Sequence, residues 1–405
     1  MEFIKSNLWE IKKSPVLQIF GGLLAALHAL TYWNWLQADK LPLQYHANPQ
    51  PMCWSLFESC QWTKALSPGL MEVIFHSFGV LAIVAALVFF FTRIASLGWA
   101  LLFVLLIFKG LLYVQDLRLS QNVHYLIFIL NICFLFVPNK GSLLRWMIVS
   151  YYLATGLLKL SPNWLTGQWF VDQIHVPIKL GEWLAAVSVL VEMLAPVALF
   201  FRDVRNFLLA YFALIAYHGL MWYAGAGLEP MAMLALLQLF PLLFYEERKV
   251  EREYLYQSFI RPEPSKAWLV MALIAFWLIQ AMPYIPHQSM QNLKHIENSL
   301  ALAPVAASDE CEQVTFYVYK DHLEEVEMVP PKDRPISFKC NAYLRFLDLK
   351  AACRDKSNDG DFRTVMSFLM VRSLKDRSYR TAFQSTDMCD DKVTFRTLVG
   401  SNNEL

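Results

Sequence analysis

Pro68–Phe91 reads PGLMEVIFHSFGVLAIVAALVFFF, an unbroken run in which Glu72 and His76 are the only ionisable side chains. A helix needs about 20 mostly apolar residues to cross a hydrocarbon core. This run meets that length, and its apolar residues lie on every face instead of in one stripe, so it reads as a membrane span. Working outward, the same reading applies at 16–36, 95–115, 120–137, 143–160, 181–201, 205–224, 230–245 and 267–284, which with 68–91 makes nine candidates. The first is too long and too closely followed by further spans for a cleaved signal peptide.

The composition agrees. Of 405 residues only 17% are charged and 56% are hydrophobic, with 13 Trp, whereas a soluble chain carries about 25% charge. The charge is also unevenly placed. Residues 306–405 hold 17 acidic and 15 basic side chains, and every Trp lies at or before Trp277. The expected organisation is a cytoplasmic N-terminus (1–15), a transmembrane body (16–284), a linker (285–305) and an extracytoplasmic domain (306–405). A formal net charge of +1 gives no polyanion signal, so no nucleic-acid partner is expected.

Lys and Arg concentrate on cytoplasmic loops. Lys5, Lys12, Lys13, Arg93, Lys140, Arg145, Arg202, Arg205 and the basic linker 246–266 fall on one side of a nine-span chain. The opposite loops hold Lys40, Lys64, Arg118 and Lys179. The N-terminus is therefore read as inside and the C-terminal domain as outside. Six of the seven cysteines (Cys53, Cys60, Cys311, Cys340, Cys353, Cys389) lie on that outer side, as disulfides in an oxidising compartment require. Cys53 and Cys60 are expected to pair with each other. The other four allow three pairings. No paired metal-ligand spacing is present, and no metal is expected. Within the tail, Val314, Phe316 and Val318 alternate with Thr315, Tyr317 and Tyr319, and Thr364–Val371 is a second apolar run. Both read as strands of a small, mainly β, disulfide-containing domain.

A charged group at mid-membrane costs about 2.5–3.5 kcal/mol on insertion scales, so each one in a span calls for an account. His28, Glu72, His76, Lys109, His124, Lys159 and His218 all fall in the outer halves of their spans, and Glu192 sits near the midplane. The inner halves hold almost nothing ionisable. Glu72 and His76, four apart on one helix face, line the same pocket or pair with Lys109. A channel needs polar groups along its whole length, so the distribution points to a pocket open to the outside. There a partly desolvated Lys serves as a base near neutral pH, and His neighbours relay protons. The Phe, Tyr, Trp and Leu surroundings suit a flat lipophilic ligand such as a quinone.

Tyr151–Phe170, YYLATGLLKLSPNWLTGQWF, resembles the Gly-x-x-Lys-Leu-x-x-x-Trp-x-x-Gly segment of the HTTM (horizontally transferred transmembrane) family and of the vitamin K-dependent γ-glutamyl carboxylases. Gly156, Lys159, Leu160, Trp164 and Gly167 occupy the matching positions. Asn122–Tyr125 (NVHY) and Tyr217–Pro230 (YHGLMWYAGAGLEP) are similar to two further segments of that family, in the same order. The resemblance covers roughly 10–285. It implies Lys159 as the base toward a quinol such as vitamin K hydroquinone, with oxygen and carbon dioxide as co-substrates and no metal. It further implies His124 as an assisting catalytic group and His218 in the same pocket. Asn122, Trp164, Glu72, His76, Lys109 and Glu192 would line that pocket or bind substrate. The tail of about 100 residues is far shorter than the carboxylases' lumenal portion, which points to an extracytoplasmic substrate other than their propeptide-bearing proteins. Two other expectations compete: a non-catalytic membrane scaffold presenting its tail domain, and a quinone-linked thiol oxidase using Cys53 and Cys60. Either way the chain is expected in the plasma or bacterial inner membrane, surrounded by lipid.

Overall fold

The computed structural model describes residues 2–47, 66–254, 267–281, 310–327 and 342–398, apart from short gaps within those ranges. Cys53, Cys60, Cys340 and the linker 285–305 lie outside the described residues. The chain divides into two compact units. The first comprises 1–157, 187–282 and 299–302, and the second 158–186, 283–298 and 303–405.

The helices follow the sequence closely. Glu2–Lys13 (α1) precedes Pro15–Gln37 (α2), which starts where Ser14 accepts the Leu17 amide and Pro15 takes the first turn. Leu41–Ala47 (α3) is short. Pro68–Leu87 (α4) begins in the same way, with Ser67 accepting the Leu70 amide, and runs into a π-turn at Val88–Thr92. Then come Ala95–Gln115 (α5), Asn122–Phe136 (α6) and Lys140–Leu158 (α7). Two short helices, Pro162–Leu165 (α8) and Gln168–Ile174 (α9), lead to Ile178–Ala198 (α10) and Val204–Tyr223 (α11). Leu228–Leu237 (α12), Leu239–Tyr254 (α13) and Ala267–Ala281 (α14) complete the set.

Six helical stretches among the described residues are long and apolar enough to cross a membrane: 15–37, 68–92, 95–113, 178–198, 204–223 and 228–248. Three of the nine candidates come out differently. The spans expected at 120–137 and 267–284 are shorter apolar helices, α6 and α14. The one expected at 143–160 falls on α7, where Arg145, Ser150, Tyr151, Tyr152 and Thr155 dilute the apolar sequence. The long helices are apolar on both sides. In α4, Met71, Phe75, Phe78 and Ala82 are buried, while Val73, Val80, Ile83 and Leu87 are exposed. A water-facing helix would place polar residues there, so the chain is an integral membrane protein by this criterion.

Helices α2, α4, α5 and α6 pack on one another. Glycines permit the closest approaches: a Cβ at Gly21 would meet Phe89, and one at Gly79 would meet the Tyr32 ring. One end of the unit is tied by polar contacts. Glu10 accepts the Asn139 and Lys140 amides at 3.1 and 2.5 Å, and Lys140 Nζ donates to Asn7 and to the Val137 carbonyl. Ser14 donates to Glu246, and Arg145 pairs with Glu247 at 2.6 Å. These contacts tie the N-terminal segment and α7 to one another and to α13.

In the second unit the tail forms an antiparallel sheet of Glu310–Tyr319 (β1), Leu323–Glu325 (β2), Phe362–Arg372 (β3) and Tyr379–Ser385 (β4), in the order β2-β1-β3-β4. Helix Ala342–Asp355 (α15) contributes Phe346, Leu349 and Cys353 to a core shared with Val365, Leu369, Phe383 and Met388. Cys353 and Cys389 are bonded, and Cys311 is in a disulfide as well. Both expected strands are present, but the face of β1 that meets the core carries Cys311, Thr315 and Tyr317, while Val314 is exposed. Thr315 makes this possible by bonding Ser367 across the β1–β3 pair at 3.0 Å, so no hydroxyl is buried unpaired.

Candidate functional site

The sequence-predicted residues fall into three buried groups and one exposed one. Lys159 follows the end of α7 and is 4% exposed. Its Nζ lies 4.7 Å from the centre of the Trp164 ring, a cation–π distance. Trp164 is fixed in turn by donating Nε1 to the Ala185 carbonyl at 3.3 Å and by stacking on Trp169. Gly167 is held at φ +67 against Gly181, so closely that a Cβ there would fall within the Gly181–Glu182 peptide. Three of the motif residues of 151–170 thus have local reasons: Gly167 lets the chain close on Gly181, Trp164 anchors on Ala185, and Lys159 rests on Trp164.

In the first unit, His218 of α11 shares a 2.6 Å hydrogen bond with the Tyr152 hydroxyl of α7. Its neighbour Tyr217 donates to Glu192 of α10 at 2.7 Å, and Tyr151 donates to Glu229 of α12 at 2.6 Å. Glu192, Tyr151, Tyr152 and His218 are each under 5% exposed. Gly156 makes room at the α7–α10 contact, where a Cβ would lie 2.9 Å from Met193 and 3.5 Å from Glu192. Four helices thereby bring a histidine, two carboxylates and three phenols together, all buried except Glu229, which is partly exposed. Tyr151, Tyr152, Tyr217 and Glu229 were not among the expected site residues. As aromatic side chains in apolar runs the tyrosines read as ring lining, and of the segment 217–230, which contains Glu229, only His218 was expected in the site.

The third group joins α2, α5 and α6. His28, Lys109, His124 and Asn131 are all 0% exposed. Asn131 donates Nδ2 to the Leu102 carbonyl at 3.3 Å, which fixes its amide orientation, and lies 3.1 Å from His28 Nε2. Thr31 gives its proton to the Leu27 carbonyl at 2.9 Å and is 3.4 Å from His124 Nδ1. Trp35 packs 5.1 Å from the His124 ring, Phe78 packs 5.8 Å from the His28 ring, and Lys109 Nζ is 5.5 Å from the Tyr113 ring centre. Asn122 opens α6 one turn or less from His124. Thr31 and Asn131 went unpredicted, although Asn131 stands seven residues after His124 and hence on the same helix face.

Glu72 and His76 stand apart from these groups. Glu72 pairs with Lys40 at 3.3 Å and approaches His76 at 3.8 Å, while His76 shares a 2.9 Å bond with Tyr32. Both side chains are about half exposed. The pairing of Glu72 with Lys109 that their span positions allowed is not made. No group of three or more His, Cys, Asp or Glu suited to a metal occurs among the described residues.

Comparison with family models, curated proteins and solved structures finds no match to this chain.

Proposed function

We propose that this chain is a membrane-embedded, proton-abstracting enzyme of the HTTM/vitamin K-dependent carboxylase-like kind, acting on a lipophilic quinol from a pocket facing the extracytoplasmic side. One observation carries the reading most directly: the Tyr152–His218 and Tyr217–Glu192 hydrogen bonds, which place proton-handling groups in register inside otherwise apolar helices. Burying such a layer is costly unless every member is paired, and a purely structural helix contact needs far fewer polar groups. The Gly156–Lys159–Trp164–Gly167 motif adds a buried amine held on an indole.

A quinol suits these residues, since its hydroxyls need hydrogen-bonding partners and its ring needs aromatic walls. With oxygen it would supply the redox chemistry, and carbon dioxide would be the group added in a carboxylation. The residues of the chain bind and move protons. In the second unit Lys159 is the expected base toward a quinol hydroxyl; in the first unit, taken by itself, His218 braced by Tyr152 is a group that can hold or pass on a proton. Glu192, which accepts from Tyr217 beside His218, favours positive charge on that ring, and His124, in the separate α2–α5–α6 group, is the expected assisting group. The apolar helices exclude water.

The proposal is tested with purified protein, lipophilic quinols and oxygen, comparing wild type with Lys159→Ala and His218→Phe. Loss of quinol oxidation by at least about a hundredfold in each is expected for removal of a general base. Unchanged turnover in Lys159→Ala would remove that residue from the mechanism. The separately cored tail favours a second reading, a scaffold that presents the tail to a partner. That reading predicts that cellular function survives loss of Lys159 and His124 together.

A further inference from the structure

We infer that α1 is an interfacial helix whose outward face, formed by Lys5, Trp9, Lys12 and Lys13, binds the headgroups of acidic phospholipids. The inference uses the membrane reading of the long helices and is independent of the quinol proposal.

Helix α1 has two unlike faces. Ile11 and Asn7 are 0% and 1% exposed, and Glu10 is held inward by the Asn139 and Lys140 amides. At about 100° per residue these three share one side of the helix with Ser14. Lys5, Trp9, Lys12 and Lys13 fall on the other side and are exposed. Trp9 is 58% exposed, and Lys13 Nζ lies 3.9 Å from the centre of its ring.

The contacts of the inward face fix where the outward one lies. Ser14 has an extended backbone, with φ −104 and ψ 110, so the chain turns between α1 and the span α2. Gln18, in the first turn of α2, donates Nε2 to the Ile11 and Lys12 carbonyls. Helix α1 also packs on α5 and α6 as well as on α2. It is therefore held against the bundle at the level where α2 enters the bilayer. That is the depth at which an indole gains from being half in water and half in lipid.

Charge selects the partner. The helix carries three lysines against two glutamates, Glu2 and Glu10, and Glu10 is turned inward. Two further carboxylates tied to this end are also engaged, Glu246 by Ser14 and Glu247 by Arg145. Lys5, Lys12 and Lys13 are in no ion pair among the described residues. A basic face with an apolar ring between its lysines suits an anionic lipid surface. A zwitterionic headgroup offers the lysines no net charge, whereas an acidic one does.

The test uses the full chain in phosphatidylcholine nanodiscs with a bimane label on Ser6→Cys, an exposed position of α1. Protein without the added cysteine gives the background from native ones. Spin-labelled phosphatidylglycerol or spin-labelled phosphatidylcholine is included at equal mole fraction as the quencher. At low salt the acidic lipid is expected to associate about fivefold more strongly, the attraction of one lysine near an anionic surface. At about 1 M salt, where the screening length is about 3 Å, the preference should collapse. Lys5→Gln, Lys12→Gln and Lys13→Gln together should remove it at low salt, with melting curves reporting folding. If that variant does not fold, Lys12→Gln alone should lower the preference. An unchanged preference in the variant, or one that survives high salt, would overturn the proposal. Equal quenching by the two lipids would overturn the acidic-lipid assignment and leave the lysines to a soluble acidic partner. No quenching by either would place α1 away from the bilayer and overturn the proposal outright.

Discussion

Gly167→Ala puts the account of the Lys159 segment to a quantitative test. Gly167 has φ +67, and the Cβ of an alanine there would overlap the Gly181 carbonyl carbon and the Glu182 amide nitrogen. Both obstacles are backbone, so no side chain can swing away. The left-handed conformation costs an L-residue about 1–2 kcal/mol, and overpacking that must move backbone adds about 1–3 kcal/mol. The variant should therefore lose roughly 2–5 kcal/mol, concentrated in residues 158–186. Hydrogen exchange read by mass spectrometry reports this locally: peptides from 158–186 should exchange faster and the melting temperature should fall. Gly219→Ala is the control. Gly219 lies inside α11 with open space where its Cβ would go, and a helical Gly→Ala change gains about 0.5–1 kcal/mol. If Gly167→Ala exchanges and melts like wild type, the close Gly167–Gly181 approach is wrong, and with it the reason given for that glycine.

Three further outcomes follow. Tyr152→Phe removes the 2.6 Å bond to His218; it should destabilise by about 1–3 kcal/mol because a buried ring nitrogen loses its partner, and should lower quinol turnover more than it changes quinol affinity. Breaking the Cys353–Cys389 bond with Cys353→Ser, which opens a closure spanning 36 positions, should cost about 2–5 kcal/mol; limited proteolysis should then cut the tail before the membrane helices. Burial pushes the Glu10 carboxyl above its usual range, against the pull of Lys140 and two backbone amides. The folded state thus holds that proton more tightly than the unfolded chain, so this contribution is complete at low pH and is lost as pH rises through the raised value. Melting curves across that window should be flatter for Glu10→Gln than for wild type.

The membrane class was legible because hydropathy over 20 residues integrates many side chains, and a single Glu72 or His76 does not upset it. The number of spans was less so. Helix α7 combines span length with Arg145 and the polar side chains Ser150, Tyr152 and Thr155, and α6 and α14 are short. In the tail, alternation located β1 and β3 but did not choose the buried side of β1, which carries Thr315 because Ser367 satisfies it across the sheet. Helix α15 was missed although Ala342, Phe346, Leu349, Ala352 and Cys353 carry the helical period. Among site residues, charge made His28, Lys109, His124, Glu192 and His218 visible. Their partners Thr31, Asn131, Tyr152 and Tyr217 are neutral, and only three-dimensional packing separates a hydrogen-bonding phenol from a lipid-facing ring. Glu72 had the charge but not the depth, and Lys40 on the neighbouring segment takes it.

The central claim is that the buried tyrosine, histidine and carboxylate groups serve chemistry on a lipophilic quinol. Wild-type protein in nanodiscs, given a panel of quinols under oxygen and then under argon, tests it with a single chromatographic reading. Oxidised or epoxidised product that depends on both protein and oxygen is the predicted result, and no product from any quinol in the panel would contradict it.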